Sequence, residues 1–181
     1  MNKKLTIESF EKLPSTQAKA KELAGKGAVP WTVILAEEQT LGRGRKEKGW
    51  HSPKGGLYFS IILPKSQLVD LQTLTILAAF IIAKTIKENF NLEPIFIKLP
   101  NDVYFNEKKA AGVMTENVVE GKEVRCSIMG IGLNTNIDKF PPDLEKTATS
   151  LRIELGREVD NKKILVQIIK GLKEQLKTIS E

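Results

Sequence analysis

The sequence contains very little cysteine or histidine. Cys126 and His51 are the only residues of their types in the 181-residue chain, so an internal disulfide and a cysteine-rich metal site are excluded, and a zinc cluster is not expected. Any Ser-His-Asp set would have to use His51, which we expect to be a surface or packing residue in a loop. Cys126 falls in an alternating pattern that predicts core packing in a strand. The sequence therefore disfavours covalent catalysis.

Long hydrophobic runs and targeting signals are also missing. The longest apolar run, residues 76–83, is far shorter than the roughly 18 residues that a membrane span requires. The opening residues MNKKLTIESFEKL contain neither the apolar region nor the small-residue cleavage site of a signal peptide. We therefore expect a cytoplasmic protein with no membrane partner.

Two widespread nucleotide-binding signatures are absent. No Gly-Lys pair has both the following Ser or Thr and the earlier glycine of a Walker A loop. The dinucleotide fingerprint G-x-G-x-x-G fails twice, because Glu47 and Thr135 stand where the third glycine is required after 42–44 and 130–132. These absences exclude the standard nucleotide-binding folds.

Positive charge, in contrast, is abundant. The chain has 28 Lys and Arg against 22 Asp and Glu, and its net charge of +6 indicates an anionic partner. The stretch QTLGRGRKEKGW (39–50) concentrates this charge among glycines, whereas the C-terminal basic residues fit the solvated face of a helix. Basic glycine loops bind phosphoryl and carboxylate oxygens through backbone N–H groups and cations. Taken alone, the loop is also compatible with a solvated segment or a nonspecific phosphate contact.

The hydrophobic pattern predicts an α+β fold in a single domain over residues 1–181. Strands are predicted at 5–10, 31–39, 57–63, 94–105, 110–119 and 123–134. Helices are predicted after the capping segment 15–17, over 71–90, before Gly156 and after the capping residue Asp160. Turn-forming residues at 106–109 and 120–122 imply an antiparallel meander. The basic glycine loop then joins two strands.

Five ordered segments of the chain point to one protein family. They are LPSTQ (13–17), GRGRKEKGWHSPKGGLYFS (42–60), KLPNDV (98–103), KKAAGVMTE (108–116) and GIGLNTN (130–136). Together they resemble the catalytic domain of biotin protein ligases, the biotin-[acetyl-CoA-carboxylase] ligases. The resemblance implies the class II synthetase-like fold of biotin and lipoate ligases, with a mixed, largely antiparallel central sheet covered by helices. We therefore expect neither an N-terminal DNA-binding domain nor a complete C-terminal β-domain, and no specific DNA binding.

The resemblance also implies a two-step reaction. The biotin carboxylate attacks the α-phosphate of Mg-ATP to give biotinyl-5'-AMP and pyrophosphate, and a lysine of the biotin carboxyl carrier protein of acetyl-CoA carboxylase then takes the biotinyl group. Biotin is a substrate, ATP arrives with Mg²⁺, and no protein-bound metal site is expected. The cations of the basic loop would offset the repulsion between the two anions. A homodimer formed through a sheet edge is a further expectation.

Site residues follow from the resemblance position by position. The residues expected to be catalytic are Lys109, Arg43 and Lys98, of which Lys109 would contact the carboxylate and α-phosphate oxygens. The expected biotin-binding residues are Ser15, Thr16, Gln17, Gln39, Arg43, Gly44, Arg45, Lys109 and Gly112. The expected nucleotide-binding residues are Gly42, Arg43, Gly44, Arg45, Lys48, Trp50, Asn101, Asp102 and Asn134. The Trp50 ring is expected to stack or pack beside the adenine.

Three positions depart from the family pattern. Leu99 stands where the family usually has tryptophan, so any packing that the ring supplies is in question. Glu47 stands where a small residue is usual, and Lys48 where an arginine is usual. Lys48 keeps the positive charge but loses the planar fork of a guanidinium group.

Several alternatives stay open at the level of sequence. Asp102 is placed to pair with Lys98 as a structural ion pair, and Asn134 is placed to be a turn residue without a ligand. A lipoate or octanoate ligase or transferase shares the fold, but its arginine-rich, triple-glycine motif followed by a histidine is missing, and Cys126 does not resemble the transferase nucleophile. The remaining alternatives are a basic nucleic-acid-binding protein and a degenerate ligase that binds biotin or adenylate without turnover.

Overall fold

The computed structural model of the protein describes residues 5–44, 49–65 and 69–180. The expectations for Arg45, Glu47 and Lys48 therefore lie outside the described residues. The strands are β1 (Thr6–Leu13), β2 (Thr32–Gln39), β3 (Leu57–Leu63), β4 (Ile95–Lys98), β5 (Asp102–Phe105), β6 (Lys108–Glu120) and β7 (Glu123–Leu133). The helices are α1 (Thr16–Gly25), α2 (Leu71–Phe90), α3 (Leu151–Leu155) and α4 (Asn161–Ser180).

The strands form one mixed sheet in the order β1-β2-β3-β7-β6-β5-β4. β1 and β2 run parallel, and the other neighbouring pairs are antiparallel. Parallel neighbours need a crossover connection, which α1 provides between β1 and β2. The mixed, largely antiparallel sheet that the sequence predicts is confirmed.

The two faces of the sheet are covered differently. On one face α2 and α4 pack over the main core, which includes Phe59 and Ile82. On the other face, Ala20 and Ala24 of α1 contribute to a smaller core with residues of β2, β3 and β7. β3 is buried along its whole length, which explains the continuous apolar character of LYFSIIL. The C-terminal part of β7, which α1 does not cover, contains Gly130 and Gly132, and the candidate site lies over these glycines.

The helix boundaries follow the predicted caps. The Ser15 hydroxyl accepts an N–H group from the first turn of α1 at 3.4 Å, and the Asp160 carboxylate accepts two from the first turn of α4 at 2.9 and 3.0 Å. Gly156 ends α3 in the left-handed region at φ 68°, and α2 occupies the predicted range 71–90. No helix within the described ranges has the length and apolar character needed to cross a membrane.

The prediction of one strand over 94–105 is wrong. The segment forms the antiparallel pair β4 and β5, with Lys98 opposite Asp102 across the turn at 99–101. Pro100 lacks an N–H group for a sheet ladder, so it interrupts the strand. β6 also begins at Lys108, earlier than the strand predicted from 110. The resulting hairpin sets Asp102 opposite Gly112 of β6.

The packing of α2 predicts the effect of a cavity in the main core. Ile82 is fully buried, so Ile82→Ala should lower the free energy of unfolding by about 2–5 kcal/mol, because its contacts are lost and not replaced. Ile153 on α3 is 46% exposed and provides the matched control, since Ile153→Ala should cost less than about 1 kcal/mol. Urea unfolding measures both values. Equal losses would contradict the placement of α2.

Candidate active site

Two adjoining cavities meet at Lys109. The small cavity, of about 50 Å³, is lined by the start of α1, the end of β2, the base of the basic loop and parts of β6 and β7. The large cleft, of about 510 Å³, is lined by residues 49–51, parts of β4 and β5 and the segment 140–148. The residues that line both are Gly44, Trp50, Asn101 and Lys109. These shared residues mark the junction between the cavities.

The predicted site residues divide between the two cavities. The predicted biotin-binding residues within the described ranges all line the small cavity, and they are Ser15, Thr16, Gln17, Gln39, Arg43, Gly44, Lys109 and Gly112. The predicted nucleotide-binding residues that line the large cleft are Gly44, Trp50, Asn101, Asp102 and Asn134. Lys98 lines the large cleft as well. Of the predicted nucleotide-binding residues, Arg43 lines only the small cavity and Gly42 lines neither.

A row of hydrogen-bonded side chains forms one wall of the small cavity. At the start of α1 the Thr16 N–H donates to Gln39 Oε1 at 2.8 Å. The Thr16 hydroxyl lies 3.1 Å from the same oxygen and 2.9 Å from Ser60 Oγ, and Ser60 donates to Gln17 Oε1 at 3.1 Å. The other end of the Gln39 amide donates to Ser52 Oγ at 2.9 Å. The five side chains therefore form one continuous polar row.

Glycines clear the sheet surface beneath the small cavity. Gly130 and Gly132 share one face of β7, and Gly112 of β6 is paired with Gly132. A Cβ atom at Gly132 would lie 2.5 Å from Trp50 Nε1, and one at Gly130 would lie 2.5 Å from Gln17 Oε1. Glycine therefore permits both side chains to lie directly against the strand. Trp50 Nε1 is itself buried and has no hydrogen-bond partner among the described residues.

The basic loop is held at its base by close backbone contacts. The Trp50 N–H donates to Gly42 O at 2.9 Å, and Arg43 and Gly49 form an antiparallel bridge. A Cβ atom at Gly42 would overlap Trp50 O and lie 2.6 Å from Ser52 Oγ. Gly42 thus contributes by letting the two ends of the loop approach each other.

Lys109 is held by contacts to its side chain and to its backbone. Its Nζ forms an ion pair with Asp102 Oδ1 at 2.7 Å and lies 5.0 Å from the centroid of the Trp50 ring. The Asn101 amide donates to the same carboxylate oxygen at 2.7 Å. Backbone hydrogen bonds of 2.8 and 3.0 Å join Lys109 to segment 147–149. A cation is therefore held in place at the junction of the cavities.

The contacts of Asp102 contradict the alternative in which it forms a structural ion pair with Lys98. Asp102 pairs with Lys109, whereas Lys98 is exposed at the end of β4 with its Nζ 5.6 Å from the centroid of the Tyr104 ring. Leu99 is 69% exposed and lines neither cavity. Leu99 therefore contributes no packing surface to either cavity.

Asn134 supports the large cleft from within the fold. It is 3% exposed, and its amide donates to Thr149 O at 3.0 Å and to Lys109 O at 3.5 Å. These bonds tie the end of β7 to the segment that holds the Lys109 backbone. A contact between Asn134 and a nucleotide stays a prediction.

Sequence reasoning misses several residues that line the cavities. Ser60 completes the polar row, and its place within an apolar strand was the available signal, because a buried hydroxyl needs a partner. Gly130 and Gly132 fail as a dinucleotide fingerprint, but glycines within a strand also indicate a close approach. Phe140 and His51 line the large cleft with ring centroids 6.3 Å apart, and no sequence signal marks Phe140.

Comparison with known proteins places this geometry in a family. The profile of the Biotin/lipoate A/B protein ligase family matches residues 9–134, more than half of the chain. The chain belongs to this family. It is 40% identical over 161 residues to the bifunctional ligase/repressor BirA of Bacillus subtilis, with 87% of this chain and 49% of BirA covered. It is 32% identical over 159 residues to the biotin--[acetyl-CoA-carboxylase] ligase of Paracoccus denitrificans, with 83% and 65% covered.

Solved structures agree with this membership of the biotin/lipoate ligase family. The biotin protein ligase from Aquifex aeolicus in complex with biotin and ATP has a TM-score of 0.86 and 32% identity, covering 97% of this chain and 72% of that chain. The class II synthetase-like fold that the sequence resemblance implies is confirmed. The chain spans about half the length of the Bacillus relative.

The close approach of Trp50 to Gly132 predicts that a side chain at position 132 will displace the indole ring. Gly132→Ala places a methyl group 2.5 Å from Trp50 Nε1, so the indole ring has to move. In ¹H–¹⁵N NMR spectra one of the two tryptophan indole signals should shift, and Trp50→Phe identifies which one it is. Gly25→Ala, whose Cβ meets no atom within 4 Å, is the matched control. An unmoved Trp50 signal in Gly132→Ala would contradict the observed ring placement.

Proposed function

We propose that the chain is an ATP-dependent biotin protein ligase. The biotin carboxylate attacks the α-phosphate of Mg-ATP, which forms biotinyl-5'-AMP and releases pyrophosphate. A lysine amine of a carrier protein then attacks the acyl carbon, which forms an amide and releases AMP. The observation that carries the proposal is the position of Lys109, which lines both cavities at their junction. The ligands bound to the Aquifex relative, biotin and ATP, support it.

The small cavity is proposed to bind the ring system of biotin. Its wall presents the hydroxyl and amide groups of Thr16, Gln17 and Ser60. A ureido ring has N–H donors and a carbonyl acceptor that match such groups. The dithiolane ring of lipoate and the alkyl chain of octanoate have neither, so they would cover this polar wall without forming hydrogen bonds to it. The polar wall therefore favours biotin over the acids of the alternative ligases.

The large cleft is proposed to bind ATP. Trp50 and Phe140 supply aromatic surface for the adenine. Among the described residues that line the cleft, Asp102 is the one with a carboxylate. Mg²⁺ binds through one or two carboxylates together with phosphate oxygens, so Asp102 fits an ion that arrives with the triphosphate. The ion would offset charge on the leaving pyrophosphate. Lys98, exposed at the rim, adds a further cation.

Lys109 is proposed to stabilise the transition state of adenylation. The carboxylate of biotin and the α-phosphate both carry negative charge, and the ammonium group at the junction is placed to contact both. Because Asp102 and the backbone bonds hold Lys109 beforehand, little reorganisation is needed during the reaction. Arg43 lines the small cavity and is assigned the same electrostatic role.

We also propose the cellular setting of the reaction. The acceptor is the biotin carboxyl carrier protein of acetyl-CoA carboxylase, and the compartment is the cytoplasm. A homodimer through a sheet edge is supported by β4, an edge strand whose Phe96 is 44% exposed.

Exchange of labelled pyrophosphate into ATP tests the proposed function. Biotin should support exchange, whereas lipoate and octanoate as matched acids should not. Exchange that depends on lipoate or octanoate would identify the alternative ligase. No exchange, together with calorimetric binding of biotin, would identify a degenerate ligase that binds without turnover.

Replacement of Lys109 tests the assigned electrostatic role. Lys109→Ala should reduce biotin-dependent pyrophosphate exchange by about 100-fold or more, because a fixed cation is removed from the transition state. Lys108→Ala is the matched control, because Lys108 is exposed and lines neither cavity. Its ammonium group donates to Glu145 O at a distance of 3.1 Å. Lys108→Ala should retain exchange within about twofold. Near-normal exchange in Lys109→Ala would refute the assignment.

A further inference from the structure

We propose that Glu116 is a positioning residue that fixes the orientation of the Gln17 amide in the small cavity. This inference rests on the biotin ligase function proposed above and deepens it. Glu116 lines neither cavity, so its effect on a ligand has to pass through Gln17. It was not among the site residues expected from the sequence.

Both hydrogens of the Gln17 amide are directed away from the cavity. Nε2 donates to Glu116 Oε2 at 2.9 Å and to Ile128 O at 3.3 Å. A carboxylate and a backbone carbonyl only accept hydrogen bonds, so neither partner can bind the amide in the reversed orientation. Gln17 Oε1 is left on the opposite side, where it accepts from Ser60 and approaches Gly130.

Glu116 is itself held as a charged acceptor. Lys21 Nζ contacts Glu116 Oε1 at 3.0 Å, so each carboxylate oxygen has a different donor. Burial alone would raise the pKa of Glu116, but the hydrogen bonds from Gln17 and Lys21 and the positive charges of Lys21 and Arg43 hold it below its ordinary value. Glu116 therefore stays ionised at neutral pH and accepts through both oxygens.

The orientation of Gln17 decides what the cavity offers a ligand. With Oε1 facing the polar row, Gln17 is an acceptor for an N–H or O–H donor, and the reversed amide would present a donor instead. Gln17 is 4% exposed, so water does not compensate for a wrong orientation. Without Glu116, the longer contact to Ile128 O is the bond that remains to Nε2. The Ser60 hydroxyl can donate or accept, so it does not prevent the reversed orientation, which becomes accessible.

The kinetic test separates biotin from ATP. In the pyrophosphate exchange assay, Glu116→Ala should raise the KM for biotin about tenfold while the KM for ATP and kcat change less than about twofold. Glu116→Gln keeps an acceptor oxygen and should hold the biotin KM within about threefold of the original. Glu120→Ala is the control on the same strand, because Glu120 pairs at the surface with Arg125 at 3.1 Å. It should leave both KM values unchanged.

A double-mutant cycle tests whether Glu116 acts through Gln17. If it does, Glu116→Ala should raise the biotin KM by less than about twofold when Gln17→Ala is already present. Independent effects, a parallel rise in the KM for ATP, or a Glu116→Ala variant that behaves like Glu120→Ala would each overturn the positioning role while the ligase function stands. Absence of both exchange and calorimetric biotin binding in the unmodified chain would overturn both proposals together.

Discussion

A cavity on the face of a β-sheet requires positions without side chains, and this constraint determines the candidate site. Gly112, Gly130 and Gly132 supply such positions on adjacent strands, and the space they leave is taken by Trp50 and Gln17. Trp50 leads back into the basic loop, and Gln17 belongs to the first turn of α1. The bare strand surface is thus what brings the loop and the helix over the same patch of the sheet. With side chains at Gly130 and Gly132, neither Gln17 nor Trp50 could occupy its observed position beside the small cavity.

Local signals predicted most elements because their causes are local. The caps at Ser15 and Asp160 and the periodicity over 71–90 depend on residues a few positions apart, and the structure confirms them. The segment 94–105 was predicted wrongly because its strand-like composition masked the effect of Pro100. The pairing of β5 with β6, which attaches this hairpin to the rest of the sheet, is not contained in any local pattern.

The motif resemblance named many of the residues that line the small cavity, but not Ser60, Gly130 or Gly132, and it named none of the contacts. The hydrogen bond between Gln17 and Glu116 joins positions separated by 99 residues. The Lys109–Asp102 pair depends on register, because the pairing of β5 with β6 shifts between Val103 and Tyr104. A one-residue slip in a strand moves a side chain to the opposite face, so such contacts follow only from the assembled sheet.

Gln39 connects three parts of the fold through a single amide group. Its backbone belongs to β2, its oxygen accepts from the first N–H of α1, and its nitrogen reaches Ser52, two residues after Trp50. The side-chain amide of Gln39 therefore connects the start of α1 to the segment that follows the basic loop. Gln39 thereby joins the polar wall of the small cavity to the segment that carries Trp50, a residue that lines both cavities.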